Sequence, residues 1–483
     1  MGVPENMRGA GSAEVKNFVI EPLLYLRTDG TVQPYLAESY EWSDDYLSLT
    51  LNLRKGVTFH DGTPFDAQAV KWNWDKRAEA HAAGTMDVVS AEIIDDYTFR
   101  LNIKAYKNTW MSEHLCSTGQ SQTSLMISPT AYETNGVEWA NWNPVGTGPF
   151  KFKSYIPGQS MEVERYEDYW GERPYLDGIK WLFIADAVTA QIAFEAGQGD
   201  TLSVTGHDRD IGRDLLPKTE KGYWALTSPG LEFILMPPGA KAASPFSNLK
   251  VREALEYAVD KEKIVKGVYF GWAVAAYQEA ETHQVPYDPN FVGRKYDPDK
   301  ARQLLAEAGY PNGFKTSLYC QVLCYGKDID AVQAYLQNVG IDAQMEVISV
   351  GKWIEMETYG WDDGILVTFL GPATWGGGHM ERDYVKPTEP NWSHGLWWET
   401  MYRPDELEVL CQQYLSIRDD PVAEKAKSQE IVKLLFDQAI LIPLWEQKSV
   451  TILQPYVKCT DTSQTWYTGD IRGRSIGRFW LDK

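Results

Sequence analysis

Apolar and polar residues alternate strictly across 46–54, with Leu47, Leu49, Leu51 and Leu53 on one face. That is the period-two pattern of a half-buried strand. Asp44-Asp45 before it and Lys55-Gly56 after it are turn material. His60-Asp61-Gly62-Thr63-Pro64 then predicts a tight polar loop, and Asp66 stands where the N-cap of a following helix belongs. Residues 95–103 alternate in the same way behind a turn. Residues 247–261 show a helical period, with Val251, Leu255 and Val259 in step. Asp297-Pro298 opens another helix, and Gly309 stops it. The chain then predicts a strand over 316–324, a helix over 329–339 and a strand over 342–350. Helices over 407–416 and 423–438 and a buried strand at 440–445 follow. This order predicts an α/β architecture. The Pro/Gly-rich extended stretch 223–238 reads as a crossing between lobes.

At 483 residues the chain is too long for a single core and implies two or three domains. No window reaches 18 consecutive apolar residues, so no membrane-spanning helix is predicted. The net charge of −21 argues against a nucleic-acid partner, whose phosphates need a basic surface. The opening MGVPENMRGAG has no apolar core and no cleavage site. The expectation is that a leader has been removed. Five cysteines are few and odd in number. Cys320 and Cys324, read as lying on one buried strand, would stand more than roughly 10 Å apart, which predicts buried free thiols.

The residue types for catalysis are scattered. The seven histidines form no HExxH motif and no close pair, and no G-x-S-x-G elbow occurs. Gly146-Thr147-Gly148 leads into a strand without a P-loop lysine, which argues against nucleotide binding. Carboxylate pairs such as Asp362-Asp363 are expected by chance in so acidic a chain. His60 reads as a satisfied loop histidine. No catalytic residue, metal ligand or cofactor is therefore predicted. The densest cluster of unusual residues is 361–398, where five tryptophans sit among glycines and polar residues without helical or strand period.

The run AESYEWSDDYLSLTLNLRKGVTFHDGTPF (37–65) resembles the signature of the family 5 extracytoplasmic solute-binding proteins. These are the peptide, nickel and oligosaccharide receptors of ABC importers. PVGTGPFKF (144–152) with YWGERPYLDGI (169–179) is similar to the family's second block, and FEAGQGD (194–200) to the turn that follows. Residues 247–261 and 296–309 are similar to later blocks, so the resemblance runs over about 7–448. It implies a two-lobed, periplasmic-binding-protein-like α/β fold of class II type. Lobe I would span 1–228 with an extra subdomain at about 45–170, lobe II 229–454, and 455–483 would return to lobe I. The family's opening strand is expected to be missing here.

The resemblance further implies a monomer, periplasmic or extracellular and open to lipoprotein anchoring. It would enclose a peptide or oligosaccharide by hinge closure and deliver it to importer membrane subunits. Peptide-binding members carry an aspartate after a lobe II strand that pairs with the ligand's ammonium. Here Phe369-Leu-Gly-Pro-Ala-Thr-Trp375 stands in its place. An aromatic cleft without that charge suits a neutral polar ligand such as an oligosaccharide. The ligand contacts expected are Trp375, Trp397, Trp398, Trp361, Thr374 and Asn391, with Gln120 of the polar loop 115–124 and Gly11 of the opening Gly-Ala-Gly-Ser loop. A secreted glycan-active enzyme and a sensor receptor are the rival readings.

Overall fold

The computed structural model describes residues 3, 18–26, 31–82, 84–116, 124–204, 211, 214–215, 221–370, 384–385, 400–459 and 479–482. The chain forms two compact units, one of residues 1–202, 218–227 and 451–483, the other of 203–217 and 228–450. Strands Trp224–Met236 and Ile442–Leu453 each begin in one unit and end in the other.

The first unit holds a four-stranded antiparallel sheet in the order Ala37–Trp42, Ser48–Leu53, Thr98–Ile103 and Val88–Asp95. Leu49, Leu51 and Leu53 point into its core, as the alternation demands. Leu47 does not. Tyr46 turns through positive φ (62°), Ser43 N–H donates to Ser48 O, and Leu47 is left in the turn, 40% exposed. Helix Ala67–Glu79 starts at Asp66, whose carboxylate accepts from Ala69 N–H at 2.9 Å and satisfies one orphan donor of the first turn. A three-stranded antiparallel sheet follows, Phe150–Ile156, Ser160–Arg165 and Gly178–Leu182.

The second unit is built on a mixed sheet. Five of its seven strands run in the order Ile442–Leu453, Trp224–Met236, Ile365–Leu370, Phe314–Gln321 and Ile341–Ile348, with Thr201–Val204 and Ala273–Ala275 both paired to Ile442–Leu453. Phe314–Gln321 pairs in parallel with both neighbours, and helix Lys327–Asn338 makes the crossover to Ile341–Ile348. The central strands feed two cores. Phe233, Leu235, Ile365 and Val367 pack with helices Leu249–Ala258 and Pro298–Glu307. Ile234, Met236, Leu366 and Leu370 pack with Asp405–Leu415 and Pro421–Asp437. Both sheet faces are covered, so ILVTFL and LEFILM read as near-continuous apolar runs, each interrupted by one buried polar residue, rather than as alternating ones.

Two sequence-based elements are corrected here. The helix expected over 247–261 ends at Ala258, and Lys261–Val268 starts a second one. Asp260 breaks the run because its side chain caps the new helix at Lys263 N–H. The strand expected to reach Cys324 ends at Gln321, whose carbonyl accepts from both Cys324 and Tyr325 N–H. Val322 and Leu323 are consequently exposed in that turn. Cys320 and Cys324 are both buried and outside any disulfide, but they do not lie on one strand.

Candidate ligand-binding site

In the first unit, three separated stretches of sequence converge on one carboxylate. Glu21, 1% exposed, accepts on Oε1 from Tyr35 Oη (2.6 Å) and Tyr169 Oη (2.8 Å). Its Oε2 accepts from Thr147 Oγ1 and Trp170 Nε1, both at 2.8 Å. Burial pushes the Glu21 pKa above its ordinary range, with the four donors pulling the other way. The glycines beside Thr147 explain the Gly-Thr-Gly motif. A Cβ on Gly146 would lie 2.1 Å from Val19 O and one on Gly148 2.4 Å from Phe18 O, so only glycine lets this segment lie against 18–20.

His60 joins the same knot. Its Nε2 lies 2.9 Å from Gly148 O, and Gly146 N–H points to Nδ1 at 3.4 Å, which fits a neutral ring protonated on Nε2. Burial lowers its pKa from 6.5 to about 4. A depressed folded pKa means that the stability His60 contributes is present above pH 6.5 and is lost as pH falls through about 4. We expect the imidazole NMR titration midpoint near 4. We also expect the stability gap between wild type and His60→Gln to close over that window.

In the second unit, the strand Ile365–Leu370 leads into the tryptophan-rich segment. Trp353 stacks on Phe369 at 5.5 Å and donates its indole N–H to Thr368 Oγ1. Thr400 Oγ1 accepts from Trp361 N–H and donates to Trp361 O. Tyr384 is fully buried in the core beside these elements. Its carbonyl accepts from Arg403, which also pairs with Glu408 at 2.6 Å. Of the expected ligand contacts, only Trp361 is among the described residues. It is 8% exposed, belongs to the core cluster and donates its indole N–H to Gly364 O, so most of its ring is committed to the fold. Trp375, Trp397, Trp398, Thr374, Asn391, Gln120 and Gly11 lie outside the described residues.

The second unit also buries a group of charged side chains that pattern reasoning left unnoticed. Arg294 bridges Glu253 at 2.8 Å and Glu256 at 3.0 Å. Lys261, 1% exposed, donates to Ala276 O, and burial pulls its pKa to about 8 against the opposing effect of Glu256 and Glu232. Burial raises Glu256 to about 7. Glu281 is pushed well above the carboxylate range by burial and by Glu232, Glu446 and Glu279.

This architecture has known counterparts. The model of the bacterial extracellular solute-binding proteins, family 5, matches residues 31–375. The chain belongs to this family. Among similar family proteins, the glutathione-binding protein GsiB of Shigella flexneri is 31% identical over 434 residues, covering 86% of this chain and 81% of that protein. GsiB of Escherichia coli K12 is likewise 31% identical over 434 residues, with the same coverage. Solved structures share the fold at lower identity. Helicobacter pylori DppA in complex with the peptide STSA gives a TM-score of 0.81 at 22% identity, over 99% of this chain and 95% of that one. Brucella suis NikA with Fe(III)-EDTA gives 0.83 at 24%, over 99% and 97%. The fold is thus the two-lobed α/β fold of family 5 receptors. In this chain the run 37–65 supplies two strands of the four-stranded sheet and the His60 loop, and Asp66 directly after it caps the next helix. Among the described residues, no helix is long and apolar enough to cross a membrane.

Proposed function

We propose that this protein captures a short peptide outside the cytoplasm and delivers it to the membrane subunits of an ABC importer, without covalent chemistry. The observation that carries the ligand class is the 31% identity, over 86% of the chain, to proteins named for binding glutathione, itself a tripeptide. DppA, which shares the fold, is in complex with the peptide STSA, which supports this reading. On this reading Trp375, Thr374, Asn391, Trp397 and Trp398 border the ligand, and a carboxylate outside 369–375 holds its ammonium.

A second reading has one observation behind it. The stretch 369–375 carries no aspartate, and five tryptophans occur within 361–398, a composition suited to stacking on sugar rings. A thermal-shift panel of glutathione, di- to hexapeptides and neutral oligosaccharides separates the two. A ligand that binds only the folded chain stabilises it by about 2.7 kcal/mol at a hundredfold excess over Kd. Stabilisation by peptides supports the proposal, and by oligosaccharides alone the second reading. In either case Trp375→Ala is expected to weaken binding without unfolding the protein.

A further inference from the structure

We propose that the second unit holds a divalent transition-metal ion, of the Zn²⁺ or Mn²⁺ class, between Glu281, His283 and Glu446. One ligand atom from each of these residues lies within 4.8 Å of the others. His283 Nδ1 is 3.6 Å from Glu281 Oε2. Two carboxylate oxygens and one imidazole nitrogen form a mixed hard and borderline donor set that suits these ions and leaves room for water to complete the shell. Around an ion with bonds of about 2.1 Å, tetrahedral ligand atoms stand roughly 3.4 Å apart. Binding therefore draws the three side chains inward by about 1 Å, within the reach of ordinary χ adjustments.

The decisive side chain is Glu281. It is 2% exposed, and among the described residues neither of its carboxylate oxygens has a hydrogen-bond donor. A buried carboxylate in that condition is costly. A proton would remove its charge but would still leave the carbonyl oxygen of the acid without a donor. A cation satisfies both the charge and the lone pairs. The charges nearby lean the same way. Glu232, Glu256, Glu279, Glu281 and Glu446 are each at most 5% exposed, whereas Lys261 and Arg294 supply the facing positive charges. Arg294 is already engaged by Glu253 and Glu256, and Lys261 is flanked by Glu256 and Glu232.

The local backbone holds the donors in place. Between strand Ala273–Ala275 and helix Pro298–Glu307 the chain forms no helix or strand. Turns shape this stretch instead. Gln278 exchanges two hydrogen bonds with the Asp288 backbone, and Gln284 Oε1 accepts from Glu281 N–H at 3.0 Å. Thr282 donates both N–H and Oγ1–H to the Glu446 carboxylate at 2.9–3.0 Å, orienting it from outside the shell. Glu446 sits opposite Val274 on the strand that the loop leaves, so the ion would tie loop to sheet. His283, with its side chain 22% exposed, offers the way in.

The test uses the full chain with any affinity tag removed. After chelation and desalting, it is titrated with Zn²⁺ or Mn²⁺ alone and followed by calorimetry and melting temperature. Co²⁺ absorption reports the coordination directly. The expected result is one ion per chain, a raised melting temperature and cobalt d–d bands, with affinity falling on the order of 100-fold in Glu281→Gln or His283→Ala. Circular dichroism of the His283→Ala variant guards against simple misfolding. Absence of stoichiometric binding, or equal binding by wild type and folded His283→Ala, would overturn the proposal. So would a Glu281→Gln variant that is more stable than wild type at every metal concentration, which would mark Glu281 as a group held by a proton.

Discussion

Replacing Glu21 with alanine is expected to lower the stability of the first unit by roughly 3–5 kcal/mol, a loss seen as an earlier guanidinium midpoint. The carboxylate is the shared acceptor for Tyr35, Thr147, Tyr169 and Trp170, and Tyr35 and Thr147 are themselves nearly inaccessible to water. Removing it deprives four donors of this acceptor at once and opens a cavity where 18–22, 144–150 and 169–170 meet. Glu21→Gln keeps the volume but turns an NH2 group toward two of those donors, so an intermediate loss of about 1–3 kcal/mol follows. The pH dependence has a definite sign. Burial holds the folded pKa above the ordinary 4.5. The stability Glu21 contributes is therefore complete below about 4.5 and declines as pH rises through the folded value. A variant midpoint equal to that of wild type would show that water replaces the carboxylate at no cost.

Arg252→Leu is expected to cost a similar 3–5 kcal/mol in the second unit. The guanidinium is 1% exposed and donates to the carbonyls of Gln438, Ala439, Phe246 and Ser247 at 2.8–3.2 Å, while lying 4.4 Å over the Tyr402 ring. Two of those carbonyls terminate helix Pro421–Asp437 and two close the turn before helix Leu249–Ala258. Burial lowers the Arg252 pKa only to about 10, so it stays charged at neutral pH. Leucine fills the space but satisfies none of the carbonyls. Lysine reaches one or two and recovers part of the loss, because it lacks the planar fork. Thermal unfolding gives the magnitude, and limited proteolysis between 240 and 250 shows whether the turn has opened.

Much of the fold is legible because burial on one or both sheet faces writes itself into residue order. Leu49, Leu51 and Leu53 announce a one-sided strand, and ILVTFL announces a two-sided one. The errors occur where a polar side chain caps a new helix, as at Asp260, where a backbone carbonyl closes a turn, as at Gln321, or where a turn takes positive φ, as at Tyr46. Glu21 was visible as a charge inside the apolar run FVIEPLLY. Its partners come from residues up to 149 positions away and leave no local trace. The Glu281 cluster had a weak signal in Glu279-x-Glu281-x-His283, but Glu446 joins it only through the pairing of Ala273–Ala275 with the long strand. For the ligand contacts the tryptophan composition carried the expectation, and Trp361 shows how a tryptophan in such a stretch is also drawn into a core.

The central claim, a family 5 receptor for short peptides, is tested most directly by calorimetric titration of the ligand-stripped protein. Reduced glutathione, a tripeptide mixture and a neutral oligosaccharide mixture would be titrated separately. Saturable 1:1 binding of glutathione or the tripeptides, with no turnover on prolonged incubation, is the predicted result. Saturable binding of oligosaccharides with none of peptides would contradict the ligand class, and hydrolysis of any bound compound would contradict the reading as a receptor.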